Sequence, residues 1–275
     1  MLVKSVPRKF GFVKDEFVEC VKGVMEECYR RLGACDVPCV DLYLFEGASR
    51  MSAFFSGEKR LLGIESKGLE EAFAAQHDAW RGTSRISICV ERIGAMPEEV
   101  RIGTIRHEVG HSVLHGSLEH YLIPPALVER ASAKMPWERA RIFLYLVSIA
   151  VKDYEVTRLL YRKGYVEDQV AYALSSIGAS EEDKLAWLIS ENDPAARAIC
   201  AASRLKEVCC AAPFLGDERF GGALLERLAS SLDYMGGGTA KRLLFIATRH
   251  LPSLGDDTLE NIRIVSDLAL EAFPL

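Results

Sequence analysis

Residues 85–116 read RISICVERIGAMPEEVRIGTIRHEVGHSVLHG. The stretch changes period half-way, and that change decides the fold class. Over Arg85–Ile93, Ile86, Ile88 and Val90 fall on alternate positions, which predicts a strand with one apolar face. Met96-Pro97-Glu98-Glu99 then opens a helix, because proline suits the first helical position and acidic side chains suit the first turn. That helix is expected to reach about His115, with Gly116 as its stop.

Towards the N-terminus the chain alternates in the same way. A short strand is expected over Lys9–Val13, a helix over Phe17–Leu32 closed by Gly33, and a strand over Val40–Phe45 (VDLYLF). Residues from Ser49 to Gly82 read as irregular or short-helical. Beyond Pro124-Pro125 the pattern is helical almost to the end. The longest element is Trp137–Arg162, closed at Gly164, and shorter helices follow near 167–177, 181–190, 194–210, 219–233, 238–250 and 257–272. The class is α+β: a small N-terminal sheet packed on the helix of residues 96–115, then a mostly helical C-terminal half. The organisation expected is a catalytic domain over 1–165 and a helical domain or extension over 166–275.

Within the helix, His107-Glu108-Val109-Gly110-His111 is H-E-x-x-H. Side chains four apart share a helix face one turn apart, so both imidazoles can converge on one cation, while Glu108 rotates off that face. This is the pattern that zinc hydrolysis needs: two neutral nitrogens on the metal, and a carboxylate beside them to take a proton from water. The bland alternative is a surface helix whose histidines happen to fall four apart.

A zinc site needs a third protein ligand, and several residues compete. A straight helix places His115 about 12 Å along the axis from His107, too far for one small ion. The metzincin spacing would need glycine where Leu114 stands and histidine where Ser117 stands, so it is excluded. His120 lies past the glycine and could fold back. Asp153 and Glu155 remain, at the end of the apolar run Ile142–Val151, which itself reads as a helix buried on all sides. An ionised group at the end of such a run is costly unless it is paired or binds metal.

The strand, the H-E-x-x-H helix and the later acidic helix resemble the compact gluzincin-like zincin metallopeptidases. His107-Glu108-Val109-Gly110-His111-Ser112-Val113-Leu114-His115-Gly116 is similar to the motif of phage-immunity (ImmA-type) metallopeptidases. The likeness covers about residues 85–162. It implies an acidic ligand on the later helix, with a small or apolar residue three on and a polar residue four on. Asp153, Val156 and Thr157 fit that pattern, whereas Glu155 would put Arg158 and Leu159 there. It also implies a peptide or protein substrate, laid along the strand Arg85–Ile93. The oxyanion of such a reaction needs a donor opposite the metal, and His120, Tyr121, Tyr154 and Arg158 are candidates.

Composition narrows the field. The net charge is −5, from 34 Lys and Arg against 39 Asp and Glu, with no basic run, which argues against a nucleic-acid partner. No apolar run is long enough to span a bilayer and Met1–Phe10 is not a secretory leader, so no membrane partner is expected and the cytoplasm is the default. The eight cysteines form no C-x-x-C pair; Cys35 and Cys39 frame a three-residue gap, and the expectation is reduced thiols. His77 and His250 read as isolated surface residues, and Trp80, Trp137 and Trp187 as core or interface anchors. The leading function is therefore a zinc metallopeptidase. The alternative is a non-catalytic zinc-binding regulatory protein whose helical half is its interaction surface.

Overall fold

The computed structural model describes residues 3–33, 37–61 and 73–273. It bears out the α+β class: a four-stranded mixed sheet near the N-terminus, then helices. The chain gathers into two compact units, Met1–Tyr121 and Leu122–Leu275. Position 165 lies inside the second unit.

The first unit runs β1 (Lys4–Phe10), α1 (Asp15–Leu32), β2 (Cys39–Phe45), α2 (Ala48–Leu61), β3 (Ala75–Asp78), β4 (Arg85–Cys89), α3 (Val90–Gly94), α4 (Glu98–Leu114) and a 3₁₀ turn at Leu118–Tyr121. The sheet order is β1-β2-β4-β3, with β3 antiparallel to β4 and the other pairs parallel. The first strand lies upstream of the expected Lys9–Val13. Pro7 is tolerated there because β1 is an outer strand, and Gly11, at φ +92°, turns the chain out of the sheet. The strand expected over 85–93 ends at Cys89. Alternation continues to Val90, but the main chain turns into α3, held where Glu91 accepts the N–H of Ala48 at 3.1 Å. Because β4 is flanked by β2 and β3, it cannot receive a peptide; the outer strand on that side is β3.

Period two explains the two faces of the sheet. Val40, Leu42, Leu44, Ile86 and Ile88 share one face and are fully buried. On the other, Tyr43, Phe45 and Cys89 pack with Met51 and Phe55 of α2. Arg85 enters this apolar layer with 3% of its side chain exposed. Its guanidinium gives two 2.9 Å hydrogen bonds to Glu58 and one of 3.0 Å to Asp78, and it stacks 5.2 Å from the ring centroids of Tyr43 and Phe55. Trp80 also lies over it, at 5.9 Å. Burial alone would raise the Glu58 carboxyl, but hydrogen bonds from Arg85 and Arg81 outweigh it and hold the group below the usual carboxylate range.

The second unit is helical: α5 (Pro125–Ser132), α6 (Trp137–Arg162), α7 (Glu167–Ser176), α8 (Glu181–Ile189), α9 (Pro194–Ala211), α10 (Gly221–Leu232), α11 (Gly236–Phe245) and α12 (Thr258–Ala272). Helix α6 starts and stops where Pro136 and Gly164 say it should. It packs on α9, α12 and α5, and its Phe143, Leu144, Val147, Ala150 and Val151 join Leu205, Val208, Ile262 and Val265 in one core. The run 142–151 is not buried on all sides, because Ile142 and Tyr145 are exposed, as is Trp137 one and a half turns earlier. Trp187 is buried beneath the Arg197 guanidinium, 4.3 Å away. No helix among the described residues is long and apolar enough to cross a membrane. The described cysteines are free thiols, and Cys35 lies outside the described residues.

Candidate metal centre

Helix α4 packs against α1, β3 and β4. Two polar ties fix its rotation: Tyr29 of α1 donates to Ser112 Oγ at 2.6 Å, while Ser112 itself donates to the Val109 carbonyl, and Arg106 pairs with Glu27 at 2.9 Å. His107 and Glu108 are buried and His111 is partly buried. The imidazoles of His107 and His111 stand edge to face with centroids 4.8 Å apart, as spacing by four on one helix face dictates. Glu108 follows His107 about 100° round the helix axis.

Three more histidines gather in this unit. His77, on the outer strand β3, lies parallel to His111 with centroids 6.2 Å apart, and its two ring nitrogens face the Tyr121 hydroxyl at 2.6 Å and Ser84 Oγ at 2.7 Å. It is not the isolated surface residue that its sequence position suggests. His115 is fully buried and meets His111, Nδ1 to Nδ1, at 3.2 Å; His120 stands edge to face with His115 at 5.3 Å. Tyr121, a candidate oxyanion donor, is held by His77.

The two candidate carboxylates both sit on α6 in the second unit, and two positions apart on a helix means about 200° apart in direction. Glu155 accepts from Thr258 Oγ1 at 2.8 Å and from Asn261 Nδ2 at 2.5 Å, both on the first turn of α12. One turn further, Arg158 donates to the carbonyls of Leu254 and Gly255 at 2.6 Å each, and lies 5.3 Å over the Tyr154 ring. Glu155 and Arg158 therefore clamp the entry to α12, which accounts for both without chemistry.

Compared with protein families, curated proteins and solved structures, the chain matches none.

Asp153 points the other way, towards α9. Its carboxylate is buried, 3.7 Å from Lys206 Nζ and 3.8 Å from the Cys210 thiol. Burial, reinforced by the charge of Asp153, pushes the thiols of Cys209 and Cys210 well up, so both stay protonated. The neighbouring Lys152 ammonium is pulled down to about 8 by burial, against the pull of Asp153 and Glu155. The polar ends of these groups have no signal in a hydropathy pattern; only the carboxylates at the end of an apolar run pointed here.

Proposed function

We propose that this protein is a zinc-dependent hydrolase of the metallopeptidase type, with His107, His111 and Asp153 holding the metal and Glu108 as general base. The observation that carries the reading is the turn His107–Glu108–His111 of α4, buried at His107 and Glu108, with its two imidazoles on one face and a carboxylate between them in sequence. Support for the third ligand comes from the resemblance, which implies an acidic residue with an apolar one three on and a polar one four on, as at Asp153, Val156 and Thr157. Two imidazoles and a carboxylate are the donor set of a catalytic zinc, which keeps an open position, whereas a structural zinc is closed by four protein ligands.

Zinc bound there would supply a Lewis acid that brings the pKa of water towards neutrality. Glu108 accepts the proton of the attacking water and returns it to the leaving amine. Burial keeps bulk water from that carboxylate, so the proton stays within the site. The outer strand β3 offers main-chain groups along which an extended peptide would add itself antiparallel or parallel, beside His77 and His111. Tyr121, oriented by His77, is the oxyanion donor this arrangement favours.

The ligand assignment predicts opposite outcomes for two neighbours. Asp153→Ala should weaken zinc at least about 100-fold in competition with a chromophoric chelator, and abolish peptide cleavage with it. Glu155→Gln should keep its zinc and lose about 1–3 kcal/mol of stability, because Thr258 and Asn261 lose a charged acceptor. Zinc retained by Asp153→Ala but lost by Glu155→Gln would reverse the assignment.

A further inference from the structure

His115 is the imidazole that the hydrolytic reading leaves unused. It is fully buried, and its Nδ1 stands 3.2 Å from Nδ1 of His111. Two ring nitrogens at that distance form a hydrogen bond only if one carries a proton and the other does not. The nitrogen of His111 that binds a metal must be the bare one, and the nitrogen turned to His115 is Nδ1. We propose that His115 is a positioning residue: its Nδ1 accepts the Nδ1–H of His111, which locks that ring as an Nε2 ligand. This rests on the zinc reading of the site.

The backbone explains how His115 comes to be there. Helix α4 ends at Leu114, and His115 has already left helical geometry, at φ −126° and ψ 29°, while its N–H still donates to the His111 carbonyl at 2.7 Å. The next residue must be glycine. A Cβ at position 116 would meet the Ser112 carbonyl oxygen at 2.4 Å and Val37 Cγ2 at 2.7 Å. The chain therefore turns in tightly behind His115 and keeps its ring against His111, with the His120 ring across its edge. On a straight helix His115 would be too far along the axis to reach the metal; here it reaches the ligand instead. An acceptor on the far nitrogen of a ligating histidine fixes its tautomer and rotation and raises its basicity, which is worth 10–100-fold in metal affinity.

The test compares His115→Leu, which fills the space without an acceptor, with His115→Asn, whose Oδ1 can stand near the place of Nδ1. Folding is checked by circular dichroism, and zinc affinity is read by chelator competition. The expected result is a loss of about 10–100-fold in His115→Leu and less than about 3-fold in His115→Asn. In the zinc-loaded wild type, proton NMR with ¹⁵N-labelled histidine should show a slowly exchanging Nδ1–H on His111, absent in His115→Leu. Zinc bound as tightly by His115→Leu as by wild type, with His107→Ala unable to bind, overturns the positioning role and leaves the zinc reading intact. His115→Asn as weak as His115→Leu, or no such proton in the wild type, also overturns it. A wild type that binds no zinc removes the reading on which the inference stands.

Discussion

Glu108→Gln is expected to bind zinc as the wild type does, within about 3-fold, and to cleave peptides about 10²–10⁴-fold more slowly. Glutamine keeps the size of the side chain and its place on α4 but cannot take a proton. The proposed ligands His107 and His111 sit on their own face of the helix, so the substitution leaves their geometry as it is. The loss belongs in kcat, because the proton moves only as water attacks. Mass spectrometry of a peptide mixture from a denatured protein reads the cleavage without assuming a sequence preference. Turnover at the wild-type rate would mean that Glu108 is not the base.

Arg85→Ala is expected to cost the first unit about 3–5 kcal/mol, the usual result of removing one partner from a buried charge network. The substitution strands Glu58 and Asp78, both only 6% exposed, and empties the place of the guanidinium against the rings of Tyr43 and Phe55. Arg81 still reaches Glu58 at 2.6 Å, but from an exposed position. The pH dependence follows from the sign of the Glu58 shift. Its folded pKa lies below the ordinary 4.5, so the stability it contributes is present above pH 4.5 and is lost as the pH falls through the lowered value. In Arg85→Ala burial is left to dominate, and that loss in acid should shrink or change sign. Urea unfolding at pH 7 and at pH 4 checks both points, followed by Trp80 fluorescence with Trp137 and Trp187 replaced by Phe. An Arg85→Ala chain as stable as the wild type at pH 7 would rule the network out as a support of the sheet.

Periodicity and punctuation made much of this legible. Helix α6 occupies the residues expected because Pro136 and Gly164 mark its ends unambiguously, and α4 follows from Pro97 and the glutamates behind it. Strand β3 was not legible. Ala75-Gln76-His77-Asp78 has no apolar alternation, and it is a strand only because β4 pairs with it. His77 therefore reads as isolated until that pairing brings it to His111. The order of strands has the same origin: alternation marks Arg85–Cys89 as a strand but does not say that it is an inner one. The choice between Asp153 and Glu155 was also beyond the local sequence. What separates the two in the structure is Thr258 and Asn261, about a hundred positions downstream, which engage Glu155. The motif itself, His107-Glu108-x-x-His111, was legible in full because helix geometry alone sets its spacing.

The central proposal is a zinc held by His107 and His111 of α4. Metal analysis of the purified wild type, with His107→Ala prepared in parallel, tests it most directly. One zinc per chain in the wild type and none in His107→Ala is the predicted result. A wild type that carries no zinc after incubation with it, or a His107→Ala chain that carries as much, would contradict the account.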